Sequence, residues 1–171
     1  MADDAVGSLE RVRQLIGSIG VAMTTTASDG ELVSRPMLAL QIEGDAGVYF
    51  LTRAGSDHVR QVRADARMNL AFVGSKGEYL SIAGRGSIGT DAALVAALWN
   101  PTYRAWFPGG ADDPDLVVLR VVIEHADYWE GPTSRLVRLY GVARAVLTGK
   151  PYETAVKQSV DADHDDQRKG R

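Results

Sequence analysis

The spacing of apolar residues along this chain switches between a helical period and the alternation typical of strands. Helical spacing predicts a first helix over residues 8–18, capped by Ser8. Two shorter helices are predicted over 55–63 and 91–99. Segments rich in β-branched and aromatic residues predict strands, and these cover residues 20–26, 31–42, 47–52, 67–73, 78–88, 115–129 and 134–148.

Turn residues join most of these strands directly. Asp29-Gly30 predicts a tight hairpin because this pair tolerates a positive φ. Consecutive hairpins with inserted helices do not fit the βαβ alternation of a parallel sheet. The order therefore predicts a mainly β domain over residues 1–150, built as a closed antiparallel barrel with small helices at its ends. Residues 151–171 are polar and poor in large apolar side chains, which predicts a loosely ordered tail.

Composition narrows the class of protein. The chain has 171 residues, of which 45% are hydrophobic, enough for one packed core. Its net charge of −3 disfavours nucleic acid and anionic membranes as partners. The absence of cysteine excludes disulfides and thiolate chemistry. Because the acidic N-terminal segment has no apolar stretch and no run suits a membrane span, we expect a cytoplasmic protein.

The segment from Thr52 to His58 is the first candidate site. A strand ends at Thr52, a glycine-containing turn follows, and a helix begins near Ser56. The first turn of a helix offers unpaired N–H groups and the positive end of a dipole, which favours a bound phosphate. The two hydroxyls could add donors, and Arg53 and His58 could add positive charge. The same residues also fit an ordinary serine-capped helix with solvated basic side chains.

The Arg35-Pro36 step, within the segment 34–37, is the second candidate. Proline cannot donate to a sheet ladder, so the strand must be an edge strand or be interrupted there. An interrupted strand leaves backbone groups free to meet a planar ligand, and Arg35 could pair with a phosphate in a bidentate manner. The alternative is an edge strand with a surface arginine.

Aromatic residues form the third candidate, because such rings can stack on a flavin or anchor a subunit interface. They could equally be core and lid packing. The set comprises Trp99, Tyr103, Trp106, Phe107, Tyr128 and Trp129. The histidines lack metal-ligand spacing, so no metal site is expected. Neither of the usual glycine-rich phosphate motifs is present.

These segments together carry a family likeness. The chain resembles the pyridoxamine 5′-phosphate oxidase-like flavoproteins, specifically the general stress protein 26 branch. The likeness runs in collinear order over about residues 9–150. The matching segments are SRPM at 34–37, VYFLTRAGSDHVRQV at 48–62, ARMNLAFV at 66–73, YLSIAGRGSI at 79–88, LWNPTYRAWFPGGADDPDLVVLRV at 98–121 and ADYWEGPTSRLVRLYGVARAVLTGK at 126–150.

The resemblance implies an antiparallel six-stranded split β-barrel of the FMN-binding type, paired as a homodimer with FMN at the interface. It also implies which residues meet the cofactor. Those residues are Arg35, Pro36 and Met37 at the ribityl phosphate and ring edge, Leu51 and Thr52 at the ring or ribityl chain, Ser56, Asp57 and His58 at the phosphate, and Trp129 near the flavin. Arg135, which matches the oxidase's substrate-binding stretch, and Trp106 are the candidate substrate residues.

Two departures from the family pattern keep alternatives open. Asp57 and His58 stand where the family usually has basic residues, and Val137 stands where the oxidase has a histidine. The leading hypothesis is an FMN-binding, stress-related redox protein, with a flavin-dependent oxidoreductase of unknown substrate as its enzymatic form. A pyridoxamine or pyridoxine 5′-phosphate oxidase is the second. The third is a dimeric module that binds FAD, a deazaflavin or no cofactor.

Overall fold

The computed structural model describes residues 2–130 and 156–161, with side chains from residue 8 in the first range and from 157 in the second. The helices are α1 (Ala2–Ile19), α2 (Asp57–Ala64), α3 (Ala92–Leu98) and two short 3-10 helices at Pro101–Ala105 and Gly110–Asp112. The strands are β1 (Val21–Ser28), β2 (Glu31–Leu38), β3 (Val48–Arg53), β4 (Arg67–Val73), β5 (Glu78–Gly89), β6 (Leu116–Glu130) and β7 (Val156–Asp161).

All strand pairings are antiparallel, and six strands follow one another in the order β2-β1-β4-β5-β6-β3. The long strand β6 pairs with β5 along one edge. Its other edge is shared, because β3 pairs with residues 116–121 and β7 pairs with residues 125–130. This arrangement confirms the mainly β, split-barrel fold class that the sequence predicts.

The closed barrel, in contrast, is wrong, because the two ends of the sheet do not form a continuous ladder. Across the described residues β2 and β3 meet through a single bridge between Leu40 and Tyr49. The chain leaves the sheet early on this side. Ala39 still donates to the Gly20 carbonyl at 2.8 Å, and Leu40 then crosses to Tyr49, so β2 ends at Leu38 rather than at residue 42. The sheet is therefore split between β2 and β3.

Helix α1 covers one face of the sheet. Its side chains Val12, Leu15 and Ile16 are each at most 1% exposed and join the main core with Phe50, Phe72 and other strand residues. Gly20 ends the helix with a φ of 77° and donates to the Ile16 carbonyl at 2.9 Å. Ser8 is not the cap that the sequence predicts, because the helix already begins at Ala2. Acidic residues in a first turn suit the helix dipole, which favours this earlier start.

Two other expectations concern the end of the chain. Residues 156–161 form β7, whose Val160 is buried in the core, where the sequence predicts a loosely ordered tail. The buried valine supplies the apolar contact that the segment's overall polarity conceals. The predicted strand over 134–148 and the remainder of the tail lie outside the described residues. In the described part of the chain no helix has the length and apolarity to cross a membrane.

Candidate functional site

A cavity of about 520 Å³ occupies the split between β2 and β3. Its walls come from the two terminal strands and from the loop that carries the 3-10 helices. The lining residues are Val21, Pro36, Met37, Leu38, Leu40, Leu51, Thr52, Arg53, Tyr103, Trp106 and Phe107. Eight of the candidate residues from sequence meet here, namely Pro36, Met37, Leu51, Thr52, Arg53, Tyr103, Trp106 and Phe107.

The backbone of β2 faces this cavity with unpaired groups. In a strand, the polar groups of successive residues point to opposite edges. Because Ala39 bonds to Gly20 beside β1, Leu38 and Pro36 direct their backbone groups away from β1 and toward the split. Pro36 thus stands where its missing N–H breaks no ladder bond, which confirms the predicted edge strand.

The same alternation applies to β3. Tyr49 exchanges both of its backbone hydrogen bonds with Leu40, at 2.8 and 2.9 Å, so its polar groups face the split. Leu51 and Arg53 share that orientation, and in the described residues no backbone partner bonds to them from the β2 side. Most side chains that line the cavity are apolar or aromatic, and the β2 and β3 walls also offer backbone donors and acceptors.

The loop after α3 forms the third wall. Asn100 caps the first 3-10 helix by accepting from the Thr102 N–H at 3.0 Å. This turn presents Tyr103, Trp106 and Phe107 to the cavity, and Trp106 as a residue is 62% exposed. The third sequence candidate therefore contains lid residues as well as core residues.

The N-terminus of α2 is capped as the sequence predicts. Ser56 accepts a hydrogen bond from the Val59 N–H at 3.3 Å. Asp57 pairs with Arg60 one turn later. That pair lies at a second groove, which is polar and lies between α2 and the β1–β2 turn. The Asp57 carboxylate is thus partly neutralised by a neighbouring guanidinium.

His58 is buried, with 3% exposure, and neither ring nitrogen has a hydrogen-bond partner in the described part of the chain. Burial lowers the pKa of His58 from 6.5 to about 4, and the nearby Arg35 charge contributes to the same shift. The imidazole is therefore neutral near pH 7. A buried polar side chain without a partner usually marks a ligand, a water molecule or a functional constraint.

Arg35 lies beside His58 and is held by neutral partners. It donates to the Gln61 side-chain oxygen at 2.7 Å and to the Thr26 hydroxyl at 3.2 Å. In the described residues it makes no ion pair. The guanidinium charge next to α2 consequently has no neutralising carboxylate in contact with it.

Trp129 does not join this cavity in the same chain. It lies near the end of β6 and pairs with Tyr79, while the Lys157 ammonium lies 5.9 Å from its ring centroid. The cavity residue Thr52 pairs with Val117, twelve positions earlier on β6. Twelve residues of strand span roughly 40 Å. Arg135 lies outside the described residues.

Several cavity residues were not singled out from sequence. In the sequence, Val21, Leu38 and Leu40 occupy ordinary strand positions, and the pattern indicates Arg53 only as a source of positive charge. The sequence feature that could have indicated the cavity is the presence of outward-facing apolar residues next to Pro36 on a predicted edge strand. Strand pairing was needed to bring Arg53 to the same cavity as Trp106.

Comparison with known proteins shows which proteins this chain is similar to. Residues 7–153 match the model of the family described as pyridoxamine 5′-phosphate oxidase like. Protein bli-3 of Neurospora crassa is 35% identical over 140 residues, which are 75% of this chain and 67% of that protein.

Two solved structures illustrate the structural likeness. The general stress FMN/FAD binding protein of Xanthomonas citri is 32% identical, with a TM-score of 0.65 over 74% of this chain and 90% of that one. A putative general stress protein 26 from Jannaschia sp. CCS1 is 24% identical, with a TM-score of 0.69 over 95% of this chain and 100% of that one. The second likeness supports the fold alone.

The buried His58 predicts a pH-dependent stability. Between about pH 4 and 6.5 the unfolded chain binds a proton at His58 that the folded chain excludes, so the free energy of unfolding falls as the pH falls. From pH 7 to 4.5 the wild-type chain should lose roughly 2–3 kcal/mol more than His58→Gln, as measured by urea unfolding.

His125→Gln is the matched control. Contact with Asp161 raises the pKa of the exposed His125, so its stabilising contribution is lost as the pH rises above 6.5 and does not change over the acidic range. That variant should keep the wild-type loss. An equal loss in His58→Gln would contradict the neutral, buried state of His58.

Proposed function

The chain belongs to the pyridoxamine 5′-phosphate oxidase-like family, and on that basis we propose that it binds a flavin, FMN, in the split between β2 and β3 and acts as a redox protein. One observation carries the proposal. The apolar cavity, whose walls offer unpaired backbone groups, lies next to Arg35 on β2, and in the described residues this guanidinium has no carboxylate partner.

The cavity suits the isoalloxazine ring. The ring is flat and apolar on its faces, whereas its edge carries hydrogen-bond donors and acceptors. Met37 and Leu51 supply apolar contact, and the backbones of Leu38 and Leu51 face the split with unpaired polar groups. Pockets that hold cofactors combine such apolar walls with a few placed polar groups.

The phosphate end follows from the geometry of β2. Arg35 and Met37 point to the same side of the strand, about 7 Å apart, so a ligand lying along β2 would reach from the cavity to the guanidinium. There it would meet the first turn of α2 and the unpaired nitrogens of His58. Helix N-termini and arginines are the usual phosphate partners.

The replacement of basic residues by Asp57 and His58 is offset in part. Asp57 is paired with Arg60 and highly exposed, so solvent screens its repulsion of a phosphate. His58 can donate one hydrogen bond while neutral. Arg35 then remains the principal cation of the phosphate site. A bound flavin would supply hydride or electron transfer, and the chain's residues would orient it and exclude water.

A homodimer is also part of the proposal. Exposed apolar side chains cross the outer face of the sheet, and they comprise Val21, Met23, Leu38, Val73 and Tyr79. Val21 and Leu38 also line the cavity, so a second copy on this face would cover the cavity mouth. A second copy would also be the source of a Trp129 near the flavin, because Trp129 of the same chain is remote.

Titration of purified protein with FMN tests the cofactor. We expect FMN fluorescence to be quenched on binding, and Arg35→Gln to weaken FMN binding by about tenfold or more, since charge-assisted hydrogen bonds to phosphate are lost. Riboflavin, which lacks the phosphate, should bind both proteins almost equally. FAD and a deazaflavin, titrated in parallel, would identify another cofactor.

Arg67→Gln is the matched control, because Arg67 is exposed and paired with Asp65. It removes the same charge and should leave FMN affinity unchanged. Absence of quenching in the wild-type protein would count against the cofactor. An equal loss in both variants would show that net charge, rather than the Arg35 contact, governs binding.

Light scattering tests the dimer. One chain has a mass of 18.4 kDa, and the expected solution mass is about twice that value. Met23→Lys places a charge on the outer face and should shift the protein toward the monomer. A wild-type mass of one chain would contradict the proposed dimer.

A further inference from the structure

We propose that Arg53 and Trp106 form an anion-binding mouth on this cavity, which makes a planar aromatic carboxylate the class of substrate that the site accepts. The inference rests on the proposed flavin site, because the substrate would lie between the flavin and this mouth. It concerns binding and orientation of the substrate.

Among the described residues that line the cavity, Arg53 is the one ionised side chain. It is the last residue of β3, where the strand reaches the mouth, and its side chain is 52% exposed. The other lining residues are apolar, aromatic or hydroxyl-bearing. A ligand with an apolar body and one negative group therefore complements this lining better than a neutral or cationic ligand does.

The guanidinium of Arg53 is fixed in place while its charge stays available. One Nη donates to the Trp106 carbonyl at 2.5 Å, and the group lies 5.6 Å from the Phe107 ring centroid. The nearest carboxylate, Asp115, is 3.9 Å away and 66% exposed. An exposed ion pair this long contributes little, so most of the charge is uncompensated. A guanidinium has five N–H donors, which leaves enough for a bidentate carboxylate.

Trp106 supplies the aromatic half of the recognition. Trp106 is 62% exposed although it lines the cavity, so its side chain is accessible for stacking on a flat ligand. The hydrogen bond between its own carbonyl and Arg53 couples the stacking surface to the cation. A ring that lies on Trp106 thus places a carboxylate substituent within reach of Arg53.

This cation is distinct from the proposed phosphate ligand. Arg35 is held by Gln61 of α2 and by Thr26, on the inner side of β2. Arg53 is held by the loop at the mouth. A phosphate bound beside α2 would therefore leave Arg53 unoccupied.

Calorimetric titration with benzoate and its neutral analogue benzamide tests the inference, on the full chain with and without FMN. We expect benzoate to bind at least about tenfold more tightly than benzamide in the FMN-loaded protein. Arg53→Gln should abolish that difference, and Arg53→Lys should restore part of it. Trp106→Ala should weaken both probes, because both stack. FMN affinity should fall much less in Arg53→Gln than in Arg35→Gln, because Arg53 does not contact the phosphate.

Arg67→Gln again serves as the control and should keep the benzoate preference. Equal affinities for benzoate and benzamide in the wild-type protein, or an unchanged preference in Arg53→Gln, would overturn the inference. A loss of FMN binding in Arg53→Gln would also overturn it, because Arg53 would then hold the cofactor. If the wild-type chain does not bind FMN, the proposed function is contradicted but this inference is not. The preference for benzoate over benzamide is then measured on the flavin-free protein.

Discussion

The missing hydrogen bonds between β2 and β3 are the constraint on which the rest of the structure depends. A closed barrel would pair every strand edge and leave no gap between β2 and β3. In the described residues a single bridge, Leu40 to Tyr49, joins these two ends of the sheet. Pro36 cannot donate to a neighbouring strand, so it favours the open edge. The apolar cavity and its backbone groups follow from that opening.

A polar cluster lies close to this open edge. This cluster, under α2, comprises Thr26, Arg35, Gln61 and His58, and in the described part of the chain neither His58 ring nitrogen has a hydrogen-bond partner. An orphaned polar group of this kind costs stability unless something binds it. The cluster therefore fits a binding site. Because it lies close to the cavity, a single ligand such as FMN could occupy both.

Local chemistry determined what could be predicted from sequence. The Asp29-Gly30 turn, the Ser56 cap and the edge position of β2 depend on neighbouring residues and are confirmed. The split-barrel fold class is also confirmed, but the position of the opening between β2 and β3 could not be located from sequence, because it depends on how Leu40 meets Tyr49 in space. The burial of His58 and the contact between Arg53 and Trp106, fifty-three residues apart, likewise follow from tertiary packing that no local pattern records.

A crystal structure of the full chain grown with FMN tests the central claim most directly. The account predicts that the isoalloxazine ring lies between β2 and β3, with its edge against the Leu38 and Leu51 backbones and its phosphate beside Arg35 and the first turn of α2. Flavin bound elsewhere, or an FMN phosphate that contacts Arg53 instead of Arg35, would contradict it.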